Sequence, residues 1–208
     1  MNIIDVLKPH MVTRTYSESE LITTDLSKAI TLYYVQSGAV LVEGVSLQPA
    51  KDRRVGLLKP AKSFIGLEYL FIDQDTCCKS VVTAVAESEV LSISQTKLQA
   101  LLEGDLHRQR SALVELMTKQ LSAAYRELQV RLEEIISHNP HEQVLLRLKG
   151  VAHYIGQDHE RGTQVAIKSS YLAKLSGLSE EGNRRALLKL MDYGMIAKIG
   201  TNNFLLFN

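Results

Sequence analysis

The chain is poor in the residues from which most sites of chemistry are built. It holds two cysteines, and they are neighbours, Cys77 and Cys78. Adjacent cysteines rarely bridge, because the ring they would close is strained. Two thiols without a wider framework fit a reducing compartment. There is no Cys-x-x-Cys, and the six histidines show no zinc spacing. His138 and His141 flank Asn139-Pro140 and read as a solvated hinge at a helix end rather than as ligands. No metal is expected. A run of about 18 apolar residues, the length needed to span a bilayer, is also missing. The start, MNIIDVLKPHMVTRTYSESE, has no basic region followed by a long apolar stretch. A secretory signal is therefore not expected, and the cytoplasm is the expected location. No Ser–His–Asp arrangement and no GxxxxGK[ST] loop occurs, so no catalytic residue is assigned and no enzyme is expected.

What is present is ordinary in amount and uneven in distribution. Hydrophobic residues make up 45% and charged residues 23% of the 208, enough for a sizeable core. The net charge of +1 says nothing by itself about polyanions, but its placement does. Residues 1–105 hold 10 Lys+Arg against 13 Asp+Glu, residues 106–139 hold 5 against 4, and residues 140–208 hold 9 against 6. The basic excess lies at the C-terminal end, a weak footprint for nucleic acid.

Three segments differ in hydrophobic period. In residues 12–95, VTRTY, TLYYVQSGAVLVEGV, RRVGLL and CKSVVTAVAESEVLSI are rich in Val, Ile, Tyr and Thr. Gly, Pro, Asp and Ser separate them, a pattern of short strands in a barrel, roll or sandwich. A short helix follows from Thr96. From Leu106 to Ile136 there is no Gly or Pro, and Leu113, Met117, Leu121, Ala124, Leu128, Leu132 and Ile135 recur every three or four residues. A helix of about 30 residues is roughly 45 Å long. One apolar stripe of that length exceeds what a small β domain covers, so it is expected to be a seam against a second copy. Packing on its own domain is the alternative. Ser137-His-Asn-Pro140 ends this helix, since proline disfavours helix in the residue before it. A further helix is expected over 141–155, then a polar loop from Gly156 to Gly162. The boundaries expected are 1–105 for the β-rich domain, 106–138 for the long helix and 139–208 for a third unit.

That third unit contains SGLSEEGNRRALLKL, residues 176–190. Ser169 is expected to cap a helix reaching Leu175. Gly177 supplies the left-handed residue that ends it. Ser179 caps a second helix from Glu180 to about Tyr193, and Ala173 is small where the two would cross. Two helices around a glycine turn form a helix-turn-helix. MIAKIGTNNFLLF then reads as strand, turn, strand, which makes the winged variety. In that geometry Glu180, Glu181, Arg184, Arg185 and Leu188 face outward from the N-terminal part of the second helix. Arginine pairs bidentately with guanine, and glutamate accepts from the cytosine amino group. Lys168, Ser169, Ser179 and Lys198 are placed for phosphates. The same charges would also steady any exposed helix. Acids oppose the dipole at its start, and Glu180–Arg184 and Glu181–Arg185 are i, i+4 pairs. Docking of a partner protein by the winged helix therefore stays open beside DNA binding.

The order of parts resembles the cyclic-AMP receptor protein and FNR (Crp/Fnr) superfamily of bacterial transcription regulators. TLYYVQSGAVLV (31–42) is similar to that family's early roll strands, and SFIGLEYLF (63–71) to the start of its phosphate-binding cassette. TAVAESEVLSIS (83–94) is similar to the strands that close the roll, and residues 176–196 to its recognition helix and wing. The resemblance implies an α+β chain. It would comprise an N-terminal cyclic-nucleotide-binding-like β-roll, a long dimerisation helix and a C-terminal winged helix-turn-helix. It implies a homodimer on an inverted-repeat operator, and RNA polymerase as a further partner of an activator. The effector pocket would fall at Gly66, Glu68, Cys78, Lys79 and Ser80. Departures from the family matter too. Leu67 follows Gly66 where the family has glutamate. Cys78-Lys79 or Lys79-Ser80 stands at its Arg-Ser, and lysine has no bidentate fork for a phosphate. Tyr69 replaces a second glycine. Cyclic AMP is therefore not expected as effector, and no cofactor is assigned. No cysteine precedes Cys77 to hold an iron–sulfur cluster, and the haem-sensing pattern is not visible. Redox sensing by Cys77 and Cys78, with Lys79 favouring a thiolate, is a further reading. Glu181 and Arg185 keep the family's spacing in the recognition helix. Glu180 stands at an often basic position, Gly182 costs roughly 1 kcal/mol of helix stability, and Asn183 occupies a normally apolar place.

Overall fold

The computed structural model describes residues 4–23, 30–45, 55–70 and 79–207. The Cys77–Cys78 pair, and with it Cys78 as a pocket residue, lies outside them. So does the side chain of Lys79. Helix α1 (Ile4–Leu7) and a 3-10 turn lead into an antiparallel β-roll of two sheets. One sheet has the order β1 (Val12–Tyr16), β8 (Ser88–Ser94), β3 (Thr31–Ser37), β6 (Phe64–Ile65). The other runs β2 (Leu21–Thr23), β7 (Lys79–Ala84), β4 (Ala39–Val45), β5 (Val55–Pro60). β3 and β4 turn about Gly38, at φ +80°, where a Cβ would lie 2.3 Å from the Glu87 carbonyl. Val35, Val40, Ile65, Val82, Ala84 and Val90 fill the space between the sheets.

A second cluster lies outside the first sheet. Leu7, Leu32, Leu91 and Ile93 pack there with Leu98 of α2 (Gln95–Glu103), Leu106, and Leu113 and Met117 of α3 (Arg110–Ser137). This corrects the expected seam. Leu113 is 0% and Met117 4% exposed within a single chain, so neither offers a surface to a second copy. The first turns of α3 are consumed by the roll because α1 and α2 bring apolar side chains to that end. Farther along, Leu121, Leu128, Leu132 and Ile135 are exposed, Ala124 is half-buried, and Val114, Tyr125 and Ile136 add exposed apolar surface. The helix also begins later than its pattern suggested. Residues 107–109 form a 3-10 turn, and Gln109 at the N-cap makes no capping bond.

Asn139 and Glu142 form a reciprocal capping box that starts α4 (Pro140–Ile155), with Pro140 in the first turn, where a missing N–H costs nothing. The stretch after α4 is not a loop, as its polarity suggested. It forms β9 (Gln157–His159), the edge strand of a sheet ordered β11-β12-β10-β9. An edge strand exposed on both faces carries no apolar alternation, so its sequence reads as loop. β10 (Gly162–Ala166) precedes α5 (Ser169–Ser176) and α6 (Glu180–Asp192), and the hairpin β11 (Ile196–Lys198) and β12 (Asn203–Phe207) completes a winged helix. Its core of Val144, Leu148, Ile167, Leu172, Leu190 and Phe204 extends without a break to Leu41 and Val85 of the roll. Among the described residues no helix is long and apolar enough to cross a membrane.

Candidate nucleic-acid interface and cavity

The helix-turn-helix is built by local chemistry. Gly177 has φ +69° and ends α5, and its N–H donates to the Lys174 carbonyl at 3.2 Å. The Ser179 hydroxyl accepts from the Gly182 N–H at 3.1 Å and starts α6. The glycine at 182 has a local reason, since a Cβ there would lie 3.1 Å from that hydroxyl. Ser169 is not the cap of α5. Lys168 stands at the N-cap without a side-chain bond, and Ser169 is the first helical residue. The Ser169 hydroxyl serves Asn183, which is 0% exposed and whose Nδ2 donates to Ser169 Oγ at 3.1 Å and to its carbonyl at 3.2 Å. A polar residue thus occupies an interior position by bonding the facing helix, which satisfies its amide nitrogen.

Outside, Glu180, Glu181, Arg184, Arg185 and Leu188 are all exposed along one face of α6. Their pairing differs from the expected i, i+4 ladder. Arg184 forks onto Glu181, with Nε and Nη2 each at 2.8 Å from a carboxylate oxygen. Arg185 reaches the same carboxylate at 3.4 Å, while Glu180 joins no ion pair among the described residues. An i+3 fork makes two parallel hydrogen bonds and so prevails over a single i+4 contact. The hydrogen bond from Arg184 holds the Glu181 carboxyl below its usual range, and the same bond raises Arg184. Arg185 is the looser of the two cations, with its side chain 71% exposed. Ser179 and Lys198 are exposed. Lys168 is turned the other way. Its ammonium donates to Ser19 Oγ on the roll at 2.5 Å and lies 5.8 Å from the Tyr171 ring centre.

The roll residues singled out from the cassette are only partly brought together. Gly66, at φ +88°, starts a 3-10 turn over Leu67–Tyr69. Leu67 is buried, and Glu68, one place later, is exposed. Ser80 is buried, and its hydroxyl bonds the Tyr69 hydroxyl at 2.9 Å. Beside them lies a cavity of about 740 Å³ between β5 and the middle of α3. Such a volume suits a small organic ligand. Of the cassette candidates Glu68 lines it. Other lining residues, Leu57, Lys59, Tyr125, Glu127 and Tyr154, escaped sequence reasoning. Lys59 Nζ meets Glu127 at 2.9 Å. No spacing could have shown this pair, since 68 residues separate its members.

The chain thus joins a roll beside a cavity, a long helix and a winged helix with an outward charged face. No family model matches the chain. It is 27% identical over 168 residues to the CRP-like protein Clp of Xanthomonas euvesicatoria pv. vesicatoria, covering 80% of this chain and 71% of that one. Among solved structures it resembles the c-di-GMP responsive global regulator CLP of Xanthomonas campestris, with a TM-score of 0.83 at 23% identity over 99% of this chain and 98% of that one. A CRP-family transcriptional regulator from Thermus thermophilus superposes with a TM-score of 0.74 at 19% identity, over 94% of this chain and 92% of that one. In sequence the chain is thus similar to CRP-like regulators, and in fold to solved members of the CRP/FNR family.

Proposed function

We propose that the chain is a sequence-specific, homodimeric DNA-binding regulator that reads an inverted repeat and does not depend on cyclic AMP. The observation that carries the DNA reading is the exposed face of α6, where Glu181, Arg184 and Arg185 form one charged cluster at the end of the helix that enters the major groove in this motif. Arg185 and Glu181 read bases, and Ser169, Ser179 and Lys198 meet phosphates. Glu180 and Leu188 flank the readout. Dimerisation is supported by the exposed apolar residues Leu121, Leu128, Leu132 and Ile135 on one side of α3, a contiguous patch of the kind that marks interfaces. Twofold pairing of α3 then presents two α6 helices, hence the inverted repeat. An activator of this kind would have RNA polymerase as a further partner.

The cavity is read as an effector pocket of its own chemistry. Leu67 is buried where the resemblance calls for a ribose-binding glutamate, and the cavity wall pairs Lys59 with Glu127. The relative named as c-di-GMP responsive makes that dinucleotide the first compound to add.

In vitro selection from random duplexes, beside Arg185→Ala and Lys198→Ala, tests the proposal. Wild type is expected to enrich an inverted repeat without added nucleotide. Arg185→Ala should lose about 1–3 kcal/mol of base discrimination, and Lys198→Ala should weaken all duplexes alike. Equal loss on chosen and random DNA for Arg185→Ala removes its base-reading role. Affinity that ignores salt would favour a protein partner, because phosphate contacts release counterions and a protein interface need not.

A further inference from the structure

Arg131 of the long helix touches both the roll and the winged helix. It lies on α3, is 5% exposed and joins no ion pair among the described residues. Its guanidinium donates through Nη1 to the Gly56 carbonyl of β5 and through Nη2 to the Leu175 carbonyl of α5, with a longer contact of 3.4 Å to the Lys174 carbonyl. The Leu175 carbonyl belongs to the last turn of α5, whose carbonyls lack partners within the helix. A cation there also opposes the negative end of the helix dipole. Arg131 therefore caps α5 from another element. Burial, then the nearby Arg147, pushes the guanidinium down to about 10, so its surroundings disfavour the charge that the carbonyls hold.

Four residues earlier on α3 stands Glu127, and three residues after Gly56 on β5 stands Lys59. These two form the ion pair that lines the cavity. α3 and β5 are thus fastened at two points, one in the cavity and one at α5. The docking of α5 is reinforced around Arg131. Lys174 meets the buried carboxylate of Glu43 at 2.9 Å, outside hydrogen-bond geometry. Gly56 lets α5 approach, since a Cβ there would lie 3.5 Å from the Lys174 Cβ and 2.5 Å from Leu41 Cδ1. At the other end of α5, Lys168 is held by Ser19, within a turn that carries the carboxylates of Glu18 and Glu20. The lysine suited to a phosphate at the start of α5 is thus occupied by the roll.

We propose that Arg131 is a latch that positions the winged helix. With the Lys59–Glu127 pair closed, it holds α5 on β5 in a state restrained from DNA, and a ligand that parts the pair releases it. This rests on the reading that the winged helix binds DNA.

The test uses the full chain as wild type, Arg131→Met, Arg131→Lys, Glu127→Gln and the double variant Arg131→Met/Glu127→Gln. Each is titrated with one selected and one random duplex at fixed salt, with amide exchange followed over residues 169–176. Arg131→Met is expected to bind both duplexes about tenfold tighter, the scale of one charged hydrogen bond. Exchange of α5 should quicken while α6 keeps its protection. Arg131→Lys should behave like Arg131→Met, because an ammonium cannot fork across two carbonyls. Glu127→Gln should tighten binding less, and the double variant no more than Arg131→Met alone. A damaged fold would lower affinity, so a rise separates positioning from mere support. Should Arg131→Met not fold, Glu127→Gln and Lys59→Gln read the same coupling. Unchanged or weaker binding by folded variants, or additive effects in the double variant, overturns the latch and leaves DNA binding standing. Failure of wild type and every variant to bind any duplex at low salt overturns both.

Discussion

Leu113→Ala and Leu132→Ala delete the same atoms from the same helix, yet they should fail in different assays. Leu113 is 0% exposed and packs with Leu7, Leu98 and Leu106 in the second core of the roll. Truncation there loses the transfer energy of the side chain and leaves a cavity, together about 3–5 kcal/mol. Leu132 is 61% exposed in the single chain. Burying a leucine fully is worth about 1.5–3 kcal/mol, so covering the free three-fifths contributes about 1–2 kcal/mol per copy. A twofold interface contains the residue twice, which makes about 2–4 kcal/mol, or roughly 30- to 1000-fold in dimer dissociation. Sedimentation equilibrium measures that constant, and urea unfolding at one high concentration measures stability. Leu113→Ala should unfold at much lower urea with its dimer constant little changed. Leu132→Ala should show the reverse at low concentration, where monomer accumulates. If Leu132→Ala dimerises like wild type, the stripe is not the seam. If Leu113→Ala weakens association without loss of stability, its burial has been misread.

Three further outcomes follow from the site. Asn183→Ala removes two bonds to Ser169 and should cost about 1–2 kcal/mol in urea unfolding, while a neutral result would mean that the buried amide adds nothing to the junction of α5 and α6. Gly177→Ala has open space for its Cβ but must keep φ at +69°, so it should cost about 1–2 kcal/mol from backbone strain alone. The Glu181 carboxyl is held low, first by the Arg184 hydrogen bond, so whatever it contributes is present above its unfolded value and is lost only as pH falls through the lower folded value. An NMR titration should therefore show its midpoint moving up in Arg184→Gln, and an unmoved midpoint would remove the fork as the cause.

Local chemistry was legible wherever a residue's partner lies within a few positions. The glycine turn at Gly177, the cap at Ser179, the end of α3 at Asn139-Pro140 and the wing are short-range events, and residue type alone decides them. The strands of the roll were visible because their β-branched residues sit in half-buried alternation. Strand β9 was not, because an exposed edge strand has no apolar face to alternate. The outward charges of α6 were visible as a helical face, but not how they pair. That choice depends on side-chain geometry, and the i+3 fork prevailed over i+4.

By itself the sequence determined the order of parts, the boundaries of most helices and the outward face of α6, since all of these follow from period and from caps a few residues apart. Only the tertiary structure decided which part of α3 is core and which is free, because α1 and the strands of the roll, remote in sequence, join α2 in burying Leu113 and Met117. It alone set Lys168 against Ser19 of the roll. It alone set Asn183 against Ser169, paired Lys59 with Glu127, and brought Arg131 to the carbonyls of Gly56 and Leu175. Each of these contacts joins residues 14 or more positions apart. No local pattern encodes such a meeting, because it depends on the packing of whole elements.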